Sequence, residues 1–321
     1  MSSDDRLVTV CVCTHNRPGY VRDCLDGLSR QSTGTDAFDL IVVDSGSTDD
    51  APASLRAIVA KHPGARLIRL DQPGVSLARN AGARAARTPY VAYIDDDAIP
   101  AADWIACIHQ ALSDHDRPAL LGGRILPIWE QKLPAWWPAS LRGVLSIIET
   151  DGQGEYRTDA LPPGLEPYAA NMVVNVAAMH AAGGFGTAIG RYGDALLSDE
   201  EVQLAWKLQD RGHSVRYDSR LVVHHRIQAA RLNPDWLLRR LYWQGASTVV
   251  TRRLLGYRRA VWSELPRRLA VALLCAPFGV FAPSSTRLLA ARWRLAYAVG
   301  FLRAALGWNP ATAAQRSPHR A

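Results

Sequence analysis

Four short apolar runs recur through the first part of the chain, each followed by a polar loop and a helix-like stretch. They are Leu7–Cys13 (LVTVCVC), Asp39–Val43 (DLIVV), Arg66–Leu70 and Tyr90–Ile94 (YVAYI). Runs of this length, rich in β-branched residues, read as buried parallel strands. The segments Tyr20–Arg30, the stretch ending near Ala60, and Ser76–Ala86 read as the helices between them. Strand, loop and helix repeated at this spacing predict a parallel α/β sheet. In such sheets ligands bind at the carboxyl ends of the strands. Three of these strands end in polar clusters: Thr14-His15-Asn16-Arg17, Asp44 to Asp49, and Asp95-Asp96-Asp97. Carboxylates are therefore expected along one edge of the sheet.

The chain has 321 residues, 48% hydrophobic and 21% charged. That composition excludes a disordered, collagenous or disulfide-scaffold chain and fits one large or two modest domains. The five Cys form neither a CxxC pair nor a zinc spacing. Most of them read as reduced core residues, consistent with a cytosolic compartment. The start, MSSDDRLVTV, lacks the basic and apolar regions of a secretory signal.

Charge is divided unevenly. Residues 226–321 hold sixteen Arg against two acids, Asp235 and Glu264, a net +14; residues 1–225 carry −7. Such asymmetry predicts a basic region facing an acidic partner. No groove-reading or RNA-stacking motif accompanies it, so nucleic acid is not expected as a partner.

Beyond the fourth strand, residues 127–168 read as irregular, with Pro127, Trp129, Pro134, Trp136, Trp137, Pro138 and Pro162-Pro163. Asn171–Val176 reads as a strand and Gly183-Gly184-Phe185-Gly186 as a turn. Asp199-Glu200-Glu201 opens a helix to about Arg211, where acids suit the positive end of the helix dipole. Val215–Tyr217 and Leu221–Val223 read as two short strands, followed by His224-His225. From Pro234 onward the pattern is helical and basic.

The acidic triplet at the end of YVAYI is the sharpest chemical feature. Adjacent carboxylates repel one another unless solvent or a cation relieves them. Hard cations such as Mg²⁺ or Mn²⁺ take oxygen ligands and bridge them to phosphates. The functional reading is a metal–diphosphate site; the plain alternative is a solvated turn. No GxxxxGK[ST] and no GxGxxG after a strand is present. Nucleotide phosphates would thus be held by a metal and Arg side chains rather than by a glycine loop.

VTVCVCTHNRP, IVVDSGSTDD and GVSLARNAGARAARTPYVAYIDDDA together resemble the nucleotide-sugar-binding half of the family 2 glycosyltransferases. NMVVN, GGFG and IGRYGDALLSDEEVQLAWKLQDRGHSVRYDSRLVVHHRI resemble that family's acceptor half. The resemblance covers roughly residues 7–250. It implies the GT-A fold and an inverting reaction, with a catalytic domain over 1–225 (a nucleotide-sugar half to about 100, an acceptor half over 101–225). A basic helical region follows over 226–321.

Residue by residue, the resemblance places Thr14, Asn16 and Arg17 at base and ribose, and Asp44 with Ser47 at the nucleobase. Arg79 approaches the donor pocket with Asn80 beside it. Asp97 falls on the metal ligand, Asp95 and Asp96 on ribose or metal-water contacts, with Asp95 a second metal candidate. His225 falls near the diphosphate as a third metal candidate, ahead of His224. Mn²⁺ or Mg²⁺ is the implied cofactor, and a UDP-sugar the default donor.

An inverting transfer needs one general base to deprotonate the acceptor hydroxyl. It needs no carboxylic acid for the leaving group, unlike glycoside hydrolysis. The resemblance puts Glu201 in that position, with Glu200 beside it contacting the acceptor or positioning the base. Asp199 stands where the family usually has Gly. Trp136 and Trp137 are candidate stacking platforms for an acceptor sugar, or lipid contacts, with a plainly packed loop as the alternative.

Leu269–Pro283 is too short to span a bilayer, which takes roughly 20 apolar residues, and Leu288–Leu306 carries Arg292, Arg294 and Arg303. Interfacial helices on an anionic leaflet fit this pattern, with a helical subdomain packed on the catalytic core or a re-entrant hairpin as the alternatives. The expected placement is cytoplasmic, peripheral on the inner face of the cell membrane. The acceptor is expected to be a saccharide or lipid-linked saccharide. A processive synthase would carry QxxRW and true membrane spans, and neither is found. A silent sugar-nucleotide or membrane-binding module is the rival from another class.

Overall fold

The structure, a computed structural model, describes residues 6–157, 161–162, 165–190, 196–279 and 286–308. The opening MSSDD, Pro163, residues 191–195 of the acceptor-half motif, Pro283 with its neighbours, and residues 309–321 lie outside the described residues.

The expected alternation is present as β1 (Val8–Thr14), α1 (Pro18–Ser29), β2 (Asp39–Ser45), α2 (Ala51–Val59), β3 (Ala65–Leu70), α3 (Val75–Ala85) and β4 (Tyr90–Asp95). Then follow β5 (Ala98–Pro100), α4 (Trp104–Asp114), β6 (Leu120–Trp129), β7 (Gln153–Glu155), β8 (Met172–Asn175), α5 (Val176–Ala181), α6 (Glu200–Gln209) and β9 (Val215–Ile227). Three long helices follow: α7 (Pro234–Leu254), α8 (Arg258–Cys275) and α9 (Thr286–Ala305).

One sheet runs β3-β2-β1-β4-β8-β6-β9-β5, with β7 also on β9. The first four strands pair in parallel. β8 is antiparallel to both β4 and β6, and β5 and β7 are antiparallel to β9. Val10, Val12, Ile41, Val42, Val43, Val91 and Ala92 are all buried, as expected for strands covered on both faces. Helix α3 lies close on the sheet at Gly82, where any Cβ would collide with the Cys11 sulfur.

Two expectations need correction. The short strands at Val215–Tyr217 and Leu221–Val223 are one continuous strand, β9, and His225 lies inside it. The intervening Asp218 does not break the strand. It is fully buried, takes a 2.6 Å bond from Arg220 Nη2, and sits 2.9 Å from His115 Nε2. The stretch 127–168 is also more ordered than its composition suggests: β6 runs into it, and β7 and a 3₁₀ turn at Ala139–Leu145 lie within it.

By contacts, the chain divides into two compact units. The first takes in the chain to Ile128, Leu145–Gly186 and Leu204–Arg226. The second takes in Trp129–Val144, Thr187–Gln203 and the chain from Ile227. Its core joins Ala246 and Val249 of α7, Val261 of α8, and Phe301, Ala304 and Ala305 of α9. Helices α7 and α9 touch through their backbones. A Cβ at Gly245 would strike the Tyr297 carbonyl, and one at Gly300 the Tyr242 carbonyl. Asn233 caps α7, accepting from Trp236 N at 2.9 Å, and Pro234 follows at the first turn, where its missing N–H costs nothing.

Candidate active site

The parallel register brings the ends of β1, β2 and β4 abreast, with Thr14 opposite Asp44 and Cys13 opposite Asp95. After Asp95 the chain turns through Asp96 and Asp97 into β5, which pairs Ala98 with His225 of β9. Arg226 N donates to the Asp97 carbonyl at 2.8 Å, fixing the turn against β9. His225 Nε2 consequently lies 3.2 Å from Asp97 Oδ1. One candidate ligand atom from each of Asp95, Asp97 and His225 lies within 4.8 Å of the other two. Asp97 and His225 are buried; Asp95 is half-buried. Two carboxylates and an imidazole suit Mn²⁺ or Mg²⁺, so the donor set fits the implied cation.

Arg17 is a counter-charge to Asp96 and Asp97. Its Nη1 is 2.8 Å from Asp97 Oδ2 and 3.2 Å from Asp96 Oδ1. Thr14 Oγ1 donates to Asp96 Oδ2 at 2.7 Å. The Asp96 pKa is pushed up to about 7, first by burial and then by Asp97 and Asp95, against the pull of Arg17 and the Thr14 bond. Burial works against the Arg17 charge, but Asp96, Asp97 and Asp95 outweigh it and hold the guanidinium above its ordinary value. Arg17, expected at base and ribose, thus stands on the acidic triplet.

The loops after β1 and β2 brace each other. Asp44 is buried, and its Oδ1 accepts from Ser47 N at 3.0 Å. Asn16 N donates to Ser47 Oγ at 2.9 Å, and Thr48 N donates to Asn16 Oδ1 at 2.8 Å. Asn16 sits at φ +56°, a conformation Asn enters more readily than most residues. Arg79 is buried on α3, with Nη2 3.5 Å from Asp95 Oδ1 and its guanidinium over Phe185. Asn80 turns elsewhere: its side chain makes 2.9 Å bonds to both the N–H and the carbonyl of Phe185. His224 pairs in register with Ile99 and, unlike His225, is not part of the metal-competent group.

Asp199, Glu200 and Glu201 lie in the second unit. Glu200 and Glu201 are buried in the first turn of α6. Asp199 has φ +79°, the left-handed region glycine enters freely, which accounts for a position where the resembling family usually has Gly. Asp199 Oδ1 accepts from Gln244 Nε2 at 2.8 Å and from Ser198 Oγ at 3.0 Å. Burial raises the Asp199 pKa, and the Gln244 bond, Arg240 and the Ser198 bond oppose it. Trp137 is buried and Trp136 partly exposed, within a ring cluster that includes Trp236 and Trp293.

The sequence reading passed over two arginines. Arg69 pairs in register with Asp44, lies 3.9 Å from its carboxylate, and donates to the Ser47 carbonyl at 3.2 Å. Arg226 bonds Asp23 at 2.8 Å and lies over Tyr20. The parallel register of β2 and β3 was the available signal for Arg69.

A sequence model of Glycosyl transferase family 2 matches residues 9–187. The chain belongs to that family. Among curated relatives, glucosyl-dolichyl phosphate glucuronosyltransferase of Haloferax volcanii is 28% identical over 178 residues, 55% of each chain. Pre-mycofactocin glycosyltransferase of Mycobacterium tuberculosis is 28% identical over 238 residues, 73% of this chain and 46% of the relative. The chain spans about half the length of these relatives. Among solved structures, the mannosyltransferase PcManGT from Pyrobaculum calidifontis, in complex with GDP-Man and Mn²⁺, aligns with a TM-score of 0.60 at 20% identity. It covers 93% of this chain and 88% of its own. That likeness is one of fold, and the fold is GT-A.

Proposed function

We propose that the chain is an inverting, non-processive glycosyltransferase that moves one sugar from a nucleotide sugar to a hydroxyl of a saccharide or lipid-linked saccharide. The observation that carries this reading is the Asp95, Asp97 and His225 group at the strand ends, in a chain of family 2. These three residues would hold Mn²⁺ or Mg²⁺, with Asp96, bonded to Thr14, between the two carboxylates in sequence. A divalent ion bound there would neutralise charge growing on the leaving diphosphate. Arg17 and Arg79 add positive charge to the same end of the sheet. Asp44 and Ser47, with Thr14 and Asn16, form the base and ribose side. UDP is the family's default nucleotide, and the fold neighbour was solved with GDP-Man, so a donor panel spans both bases.

Glu201 is the general base, Glu200 its neighbour on the acceptor side, and Trp136, Trp137 and Asp199 belong to the acceptor region. The base is tested with Glu201→Gln. Transfer of labelled sugar falls by about 10²–10⁴-fold while donor binding, read by calorimetry, is retained. Near-normal transfer in that variant removes Glu201 from the role.

Residues 1–225 form the catalytic part in this reading and 226–321 its basic helical extension. The basic region supports peripheral placement on the cytoplasmic, inner face of an anionic cell membrane. Among the described residues, no helix is long and apolar enough to cross a membrane.

A further inference from the structure

Helix α8 carries two adjoining sets of apolar residues, one packed inward and one left exposed. The inner face carries Val261 and Leu265, packed into the core of the second unit. On the same side, Glu264 pairs with Arg252 and Arg268, and Arg268 lies over the Tyr297 and Phe301 rings. The outer face carries Trp262, Leu269, Leu273 and Leu274, which are 56%, 50%, 68% and 72% exposed. At 100° per residue, Trp262, Leu269 and Leu273 fall on one narrow stripe with Pro266 beside it, and Leu274 lies about 100° round from Leu273, next to Arg267. Among the described residues this stripe is left half or more exposed, although the apolar side of a helix is ordinarily turned toward a core or lipid. Contiguous exposed apolar surface of this kind marks a docking site.

The charge around the stripe identifies the occupant. Arg258 and Arg259 at the start of α8, and Arg267 along its flank, are exposed. Residues 226–321 hold only two acids, and Glu264 is already paired. A second copy docking through this face would set arginine against arginine. A surface of anionic lipid headgroups over an acyl layer matches both features, the apolar stripe entering and the arginines meeting phosphates.

We infer that the outer face of α8 is the membrane-docking surface of this protein, with Trp262, Leu269, Leu273 and Leu274 entering the boundary of an anionic leaflet and Arg258, Arg259 and Arg267 binding its headgroups. This rests on the peripheral placement proposed for the basic region and names the element responsible.

The test is flotation of the full chain with vesicles of phosphatidylcholine alone and with about one third phosphatidylglycerol. It compares wild type, Leu269→Ser/Leu273→Ser/Leu274→Ser, and Arg258→Gln/Arg259→Gln/Arg267→Gln. All substituted side chains are exposed, and circular dichroism and melting confirm that each variant is folded. Wild type is expected to float with anionic vesicles, the leucine variant to bind about tenfold more weakly or not at all, and the arginine variant to lose its preference for anionic lipid. Wild-type binding that the leucine variant matches overturns the assignment to α8 while leaving peripheral placement standing. No wild-type binding at low salt overturns both. A wild-type dimer that the leucine variant dissociates, without vesicle binding, overturns the inference in favour of a second copy.

Discussion

Asp96 carries most of the electrostatic cost of gathering carboxylates at the strand ends. It is buried beside two other carboxylates and relieved by one guanidinium and one hydroxyl. Arg17 is a third exposed, so water tempers its pairing. Arg17→Ala is expected to lower stability by about 1–2 kcal/mol. Added Mn²⁺ should then raise the melting temperature more in the variant than in wild type, because the cation supplies the missing charge. Equal responses in a thermal-shift titration would show that Arg17 and the cation do not share the triplet. His225→Ala removes the imidazole from the group and should weaken Mn²⁺ binding by about tenfold or more; unchanged calorimetric affinity would take His225 out of the ligand set. At this scale the sequence was most informative where motif and register coincide, as at Asp97 and Asp95. It was least so for Arg17 and Asn80, whose partners depend on rotamers and on loops distant in sequence.

At the scale of elements, β9 shows how tertiary pairing overrides a local signal. Asp218 reads as a turn residue, but Arg220 and His115 satisfy its carboxylate and keep the strand continuous. Burial raises the Asp218 pKa, yet the Arg220 and His115 bonds outweigh it and hold the group below its ordinary value. A depressed carboxylate adds stability that is present above its unfolded pKa of about 3.9 and lost as pH falls through the folded value. Asp218→Asn should therefore be less stable than wild type by about 1–3 kcal/mol at pH 7, with the gap closing below about pH 4. A gap in urea denaturation that is constant from pH 7 to pH 3 would contradict this. Between α7 and α9 the backbones touch at Gly245 and Gly300. Gly245→Val should cost about 2 kcal/mol or more through overpacking, seen as a lower melting temperature; an unchanged melt would mean the helices separate freely. That crossing was not legible in the sequence, since nothing local distinguishes these glycines from those of loops.

Across the whole molecule, the alternation of the first four strands was readable because buried parallel strands leave uninterrupted apolar runs. The later strands are short or carry polar residues such as Asp218 and His225, so their pairing waits on the sheet itself. The charge asymmetry was plain in the sequence, whereas the exposed stripe of α8 was not. Its two sets of apolar residues look alike until packing shows which one is covered. The central claim is that the strand-end carboxylates and His225 hold a divalent cation and, through it, a nucleotide sugar. The most direct measurement is calorimetric titration of UDP- and GDP-sugars into the full chain with Mn²⁺, with EDTA, and in Asp97→Ala. The account predicts that at least one donor binds with Mn²⁺ and that this binding is weakened about a hundredfold or more by EDTA or by the substitution. Donor binding that neither EDTA nor Asp97→Ala diminishes would contradict it.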